Sequence, residues 1–143
     1  MDDKNRILDL VAQRNAAVAR GDAAAIVAPL SEDIVAYTLA PPLAYSGAEA
    51  RDTKSVQAWL ATWKAPPRIE LRDPTVLQDG DLAVVFGFAA MRGAKIEGDE
   101  EGLWYRITTV LRRENGEWSI VHEHESVPFL MDGSDKAALD LKP

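Results

Sequence analysis

Residues 114–126 read Glu114-Asn115-Gly116-Glu117-Trp118-Ser119-Ile120-Val121-His122-Glu123-His124-Glu125-Ser126, and the fold turns on them. Asn-Gly favours a two-residue hairpin turn, because both of its central positions take positive φ. Pairing Glu114 with Glu117 fixes the register. Leu111 then meets Ile120, Thr109 meets His122, Ile107 meets His124 and Tyr105 meets Ser126, all on the face that carries Trp118. The opposite face pairs Val110 with Val121, Thr108 with Glu123 and Arg106 with Glu125, with Trp104 beyond. Because side chains alternate along a strand, a bulge would exchange the faces past it, and that alternative stays open. Neither face is wholly apolar. This suits a hairpin with one face in a polar pocket and the other in a subunit interface. It equally suits a half-exposed sheet carrying ordinary cross-strand charge pairs.

Outward from this hairpin the chain divides into helices and then strands. Ile7, Leu10, Val11, Arg14 and Val18 lie at helical spacing in a helix over 4–20 that Gly21 stops. Asp22 caps a short second helix over 23–28. A strand is expected at 34–39, and Pro41, Pro42 and Gly47 mark a loop. A third helix is expected from 48 to 63, with Val56, Trp59, Leu60 and Trp63 in one stripe. Strands follow at 68–77, 82–92, 103–113 and 118–127, with a tight turn at Asp79-Gly80-Asp81. Segment 93–102 reads as a mobile acidic loop, and the tail 129–143 as polar and frayed. Helices followed by a run of antiparallel strands predict an α+β fold, with three N-terminal helices on one face of a curved sheet. The expected unit is a single domain over 1–143, with its core at about 4–128.

Composition excludes several functions. The 143 residues contain no cysteine, so disulfides, thiol nucleophiles and thiolate metal sites are absent. A net charge of -7 argues against nucleic acid, whose binding requires phosphate neutralisation. No run approaches the ~20 apolar residues of a membrane helix. The acidic start Met1-Asp2-Asp3 is unlike a secretory leader, so a cytoplasmic location is expected. There is no glycine-rich phosphate loop, nucleophile elbow or zinc signature, and no cofactor is implied.

The stretch 114–126 resembles the closing strand of SnoaL-like, ketosteroid-isomerase-like proteins, where a turn glycine precedes Trp-x-Ile-x-His-x-His-x-Ser. Arg106-Ile107-Thr108 is similar to the Arg-x-Thr of the preceding strand. Ala19-Arg20-Gly21-Asp22 and Leu30-Ser31-Glu32-Asp33 resemble the family's helix break and acidic turn. The resemblance implies the cone-shaped, cystatin-like fold of nuclear transport factor 2, usually dimeric. It places Arg106, Thr108, Val121, Glu123 and Glu125 in the cavity, and His122 and His124 on the outer, dimer-forming side. Ketosteroid isomerases use an aspartate base with a tyrosine and a protonated aspartic acid. Gap-free alignment puts Thr38, Arg14 and Thr108 at those positions, so steroid isomerisation by that route is disfavoured.

Arg14, Arg106, Glu123 and Glu125 are therefore the expected cavity charges. Arg106 is expected to pair with Glu125, leaving Glu123 with a raised pKa as acid or base. Tyr37, Thr38, Trp59, Trp63, Trp104, Thr108 and Val121 are further pocket candidates, although tryptophans at helical spacing also suit plain core. His122 and His124 point the same way but lack an evident third ligand, so no metal site is assigned. Two functions fit. One is an isomerase, cyclase or hydrolase-like acid/base catalyst on a compact, partly apolar carbonyl or carboxylate compound. The alternative is a non-catalytic ligand-binding or association module, as in the hub domain of calcium/calmodulin-dependent protein kinase, which has a similar closing strand. A homodimer through the outer sheet face is expected in either case.

Overall fold

Asp2 starts the first helix by accepting a hydrogen bond from the Asn5 amide at 2.8 Å, which satisfies one orphan N–H of the first turn. This helix, α1, spans Asp3–Ala19 in the computed structural model, which describes residues 2–143. Gly21, at φ +70°, ends it in the left-handed region that glycine adopts without penalty. Asp22 then caps α2 (Ala23–Val27) through the Ala25 amide at 3.1 Å. Strand β1 spans Leu30–Tyr37, β2 Tyr45–Ser46, helix α3 Thr53–Leu60, β3 Arg68–Asp79, β4 Leu82–Ala94, β5 Glu100–Glu114 and β6 Glu117–Ser126.

The six strands form one sheet in the order β2-β1-β6-β5-β4-β3. All neighbours are antiparallel except β1 and β6, which run parallel. α1 packs against β3, α2 against α1, and α3 against α2, so the helices share the inner face of the sheet. This is the expected α+β architecture. Ile7 of α1, Val27 and Ile34 join Ala83, Val85, Leu111 and Ile120 of the inner face in the main core. The N-terminal end of α1 is tied down by Arg113, which reaches Asp3 at 2.7 Å and Asp81 at 2.9 Å. That link orients α1 over the sheet more than it stabilises it, since exposed ion pairs contribute little.

The last hairpin turns as its Asn115-Gly116 pair dictates, with φ of 53° and 79° and Glu114 opposite Glu117. Leu111 pairs with Ile120, but Val110 then pairs with His122, leaving Val121 as an extra residue. Beyond this bulge Thr109 faces Glu123, Thr108 faces His124, Ile107 faces Glu125 and Arg106 faces Ser126. The bulge-free register, with Arg106 opposite Glu125 and Thr108 opposite Glu123, is thus corrected by one residue.

Three other expectations change. α3 is shorter than 48–63. Asp52 starts it by accepting from the Lys54 amide at 3.1 Å, and the preceding chain forms β2 against β1. Segment 95–99 is a short turn, because Lys64 N donates to Ala94 O at 2.9 Å and Ile96 N to Thr62 O at 3.1 Å. The tail folds back on itself, with Leu130 N donating to Lys136 O at 2.7 Å, Ala138 N to Pro128 O at 2.8 Å, and Ala138 buried.

Ile120 closes the core directly below the bulge, 1% exposed. Ile120→Ala should lower unfolding free energy by about 2–5 kcal/mol in urea titrations. Leu43→Ala, at a site 95% exposed, should change it by less than about 0.5 kcal/mol. Equal effects of the two would contradict this account of the core.

Candidate functional site

Arg14 is the one charged member of the otherwise apolar stripe that α1 turns toward the sheet. Its Nε donates to the Ile26 carbonyl at 2.9 Å, which fixes the side chain against α2. Its Nη1 donates to Glu123 Oε1 in a partly buried ion pair. Glu123 reaches Arg14 because the Val121 bulge turns it inward beside buried Thr109. A buried charge without a partner is strongly unfavourable, and each of these two neutralises the other.

These side chains line an inner cavity of about 30 Å³, together with Val11, Asn15, Ile69, Leu71, Val85, Ala89, Ile107 and Ile120. That space accommodates about a water molecule, well short of a typical ligand pocket of ~300–1,000 Å³.

Glu125 lies two residues beyond Glu123, on the same face and opposite Ile107. Burial, reinforced by the negative charge of Glu123, pushes its carboxyl pKa up to about 7. Arg14 and the Leu39 amide oppose that rise without cancelling it. Tyr105 completes the group. It is buried on the inner face, and burial together with Glu125 and Glu123 holds its hydroxyl proton far above the ordinary tyrosine range. Glu125 and Tyr105 do not line the 30 Å³ cavity; they adjoin its Arg14–Glu123 pair, so the inner face gathers a carboxyl that titrates near neutrality, a hydroxyl that remains a donor, and a neutralised ion pair. That set can accept and return a proton next to a polarised oxygen.

Of the sequence candidates, the structure brings Arg14, Glu123 and Glu125 together. The expected roles of the two glutamates exchange: Glu123 is paired, and Glu125 carries the raised pKa. Arg106 lies on the outer face with its Nε donating to Ser126 Oγ at 3.1 Å, and Thr108 lies there opposite His124. Trp104 is also on the outer face, opposite Ala90. Val121 is the bulge residue and does not line the cavity. Tyr37 packs edge-on against His122 and His124, with ring centroids at 4.8 and 5.2 Å, on the outer side. His122 Nδ1 donates to the Val35 carbonyl at 2.7 Å, since a carbonyl only accepts. The Thr38 hydroxyl donates to the Ala40 carbonyl at 3.0 Å, past the end of β1. Trp59 packs on Ala17, Val18 and Ile26, and Trp63 stands edge-on to it. Gly93 must be glycine here, because a Cβ would sit 2.9 Å from the Trp63 ring. Trp59 thus packs on the core, while Trp63 is half-buried between Trp59 and the Lys95 ammonium, 3.8 Å from its ring centre.

Tyr105, Ile107 and Thr109 are the residues that sequence reasoning missed. Their signal was present: Tyr105, Ile107 and Leu111 form the more apolar alternate set of β5, and such a set faces the core.

The sequence model of the SnoaL-like domain matches residues 7–130. A nuclear transport factor 2-like protein of unknown function from Pseudomonas putida KT2440 is 32% identical, with a TM-score of 0.83 over 97% of this chain and 95% of that one. A proposed dehydratase of the same broad family from Streptomyces avermitilis is 20% identical, with a TM-score of 0.72 over 90% and 97%. The association domain of the C. elegans calcium/calmodulin-dependent protein kinase II is 16% identical, with a TM-score of 0.67 over 86% and 94%. The last two likenesses establish the fold alone. No curated protein matches the chain.

The raised pKa of Glu125 has a thermodynamic consequence of definite sign. The folded state holds its proton up to about pH 7, whereas the unfolded chain releases it near 4.5. Stability therefore falls as pH rises through that window, by up to about 3 kcal/mol. Glu125→Gln should remove this slope and be more stable than the wild type at pH 8, in urea melts at pH 4.5 and 8. An unchanged slope in the variant would locate the effect elsewhere.

Proposed function

The chain belongs to the SnoaL-like family, and on that premise we propose that it binds a compact, partly apolar carbonyl or carboxylate compound and moves a proton on it. Glu125 is the working acid/base. The observation that carries this reading is a carboxyl with a pKa of about 7 on the inner face, beside a glutamate already neutralised by Arg14. A general base works best when its pKa lies near the operating pH. In this scheme Glu125 removes a proton from carbon next to a carbonyl. Arg14 and the Tyr105 hydroxyl stabilise the oxygen that gains the negative charge. Returning the proton to another carbon completes an isomerisation; attack of the enolate carbon on a second carbonyl, whose oxygen takes the proton back from Glu125, completes a cyclisation. The small cavity favours compact substrates over steroid-sized ones, since bound atoms must displace lining side chains. The proposed dehydratase from Streptomyces avermitilis suits the same proton chemistry, which also begins elimination reactions. A cytoplasmic setting is proposed with it, on the cysteine-free sequence; among the described residues no helix is long and apolar enough to cross a membrane.

Hydrogen–deuterium exchange tests this without knowledge of the final product. A panel of small ketones, enones and keto acids would be incubated with the protein in deuterated buffer and followed by proton NMR. At least one should exchange hydrogens next to its carbonyl, with a rate rising to a plateau above about pH 7. Glu125→Gln should slow that exchange by about 10²-fold or more. No protein-dependent exchange with any compound would reject the acid/base reading.

A second reading, association, rests on the outer sheet face. Leu82, Phe86 and Phe88 are 47%, 41% and 46% exposed there, and exposed Leu77 adjoins them. A contiguous apolar face of this kind suits a partner surface, and the likeness to a kinase association domain favours self-association. We propose a homodimer through this face. Light scattering should give twice the 15.7 kDa chain mass, and Phe86→Asp with Phe88→Asp should return it to the monomer. A wild-type monomer at micromolar concentration would reject the dimer.

A further inference from the structure

The outer face holds a second site that the acid/base cavity does not use. At the end of the sheet away from the Asn115-Gly116 turn, three strands each contribute one side chain: Arg72 of β3, Arg92 of β4 and Trp104 of β5. The guanidinium carbons lie 5.7 and 6.0 Å from the centre of the Trp104 ring, within cation–π range. The returning tail forms the other wall, with Leu139, Asp140, Leu141 and Lys142 closing an open cleft of about 540 Å³. That is far larger than the inner cavity and falls in the range of small-molecule sites.

The charge balance of the cleft is unusual for a chain of net charge -7. Arg92 has no ion-pair partner among the described residues. Among the described residues the ion-pair partner of Arg72 is its sequence neighbour Asp73, at 3.7 Å, and that carboxylate is 92% exposed. Two guanidiniums thus converge on one indole with their hydrogen-bonding edges largely unspent. Gly102, opposite Arg92, has only hydrogen at Cα, and a Cβ there would stand 3.1 Å from Arg92 Nη1. The guanidinium is therefore seated against bare backbone.

We propose that this cleft binds a planar aromatic carboxylate. The carboxylate lies on Arg92 and Arg72, and the ring lies along Trp104 between Leu139 and Leu141. A guanidinium presents a planar fork that matches a carboxylate in two parallel hydrogen bonds. An indole prefers a flat ring in offset or edge-on contact. A bare inorganic anion would leave most of the cleft and both leucines unused. A polyanion would meet Asp140 at the wall, so a single negative charge suits the site best.

Calorimetric titration with 2-naphthoate tests the assignment, with 2-naphthamide (same rings, no charge) and cyclohexanecarboxylate (same charge, no aromatic face) as comparisons. The expected result is a Kd for 2-naphthoate below about 1 mM and at least about tenfold weaker binding of both comparisons. Arg92→Gln and Trp104→Leu should each weaken 2-naphthoate about tenfold or more, while Glu125→Gln leaves it unchanged. Circular dichroism checks that each variant is folded; should Trp104→Leu unfold, the exposed Arg92→Gln decides alone. No binding at ~10 mM, equal binding of the amide, or an unaffected Arg92→Gln would overturn the proposal. Loss of binding in Glu125→Gln would overturn it too, by placing the compound in the inner cavity.

Discussion

Ile120 and Glu123 are three residues apart on β6, and a regular strand would send them to opposite faces. Both nevertheless point inward, because Val121 is inserted without a partner between the Leu111–Ile120 and Val110–His122 pairs. The rest of the molecule depends on that inserted residue. Below it, Ile120 and Leu111 close the apolar core. Above it, Glu123 and Glu125 turn under the helices while His122 and His124 turn outward toward Tyr37. Without the bulge the glutamates would sit in solvent and the histidines would lie over Arg14. Bulges placed beside functional groups commonly re-aim side chains in this way.

The inward turn creates an electrostatic problem that Arg14 solves only in part. One cation faces two carboxylates. Geometry gives it to Glu123, since α1 and the Ile26 carbonyl hold the guanidinium at that level of the sheet. Glu125 is left with desolvation and a like charge beside it, and both favour its neutral form. The buried Tyr105 hydroxyl feels the same two negative charges. A strained charge balance of this sort destabilises the fold above neutrality, and reactive sites commonly carry such a balance.

The two sheet faces divide the remaining roles. The inner face is closed by helices and leaves little free volume. The outer face keeps large apolar side chains in its middle rows, while arginines and Trp104 sit at one end beneath the tail. Arg106, which the sequence alone would send inward, is drawn outward because Ile107 and Tyr105 compete for the core and transfer more apolar surface from water.

Local chemistry determined the elements. The aspartates at 2, 22 and 52 cap helices, Gly21 ends one, and Asn115-Gly116 makes the final turn, each through bonds or dihedrals within a few residues. The closing strand carried enough pattern to indicate the family, and with it the α+β fold and the inward glutamates. Tertiary structure alone decided the rest. The bulge at Val121 reflects competition between two faces for burial, which no short window of sequence records. The later start of α3 comes from the Asp52 cap and the pairing of β2 with β1, and the turn at 95–99 from backbone bonds that join Ala94 and Ile96 to Lys64 and Thr62. The exchange of roles between Glu123 and Glu125 follows from where α1 holds a single guanidinium. That distance is set by packing, and packing is a property of the whole chain.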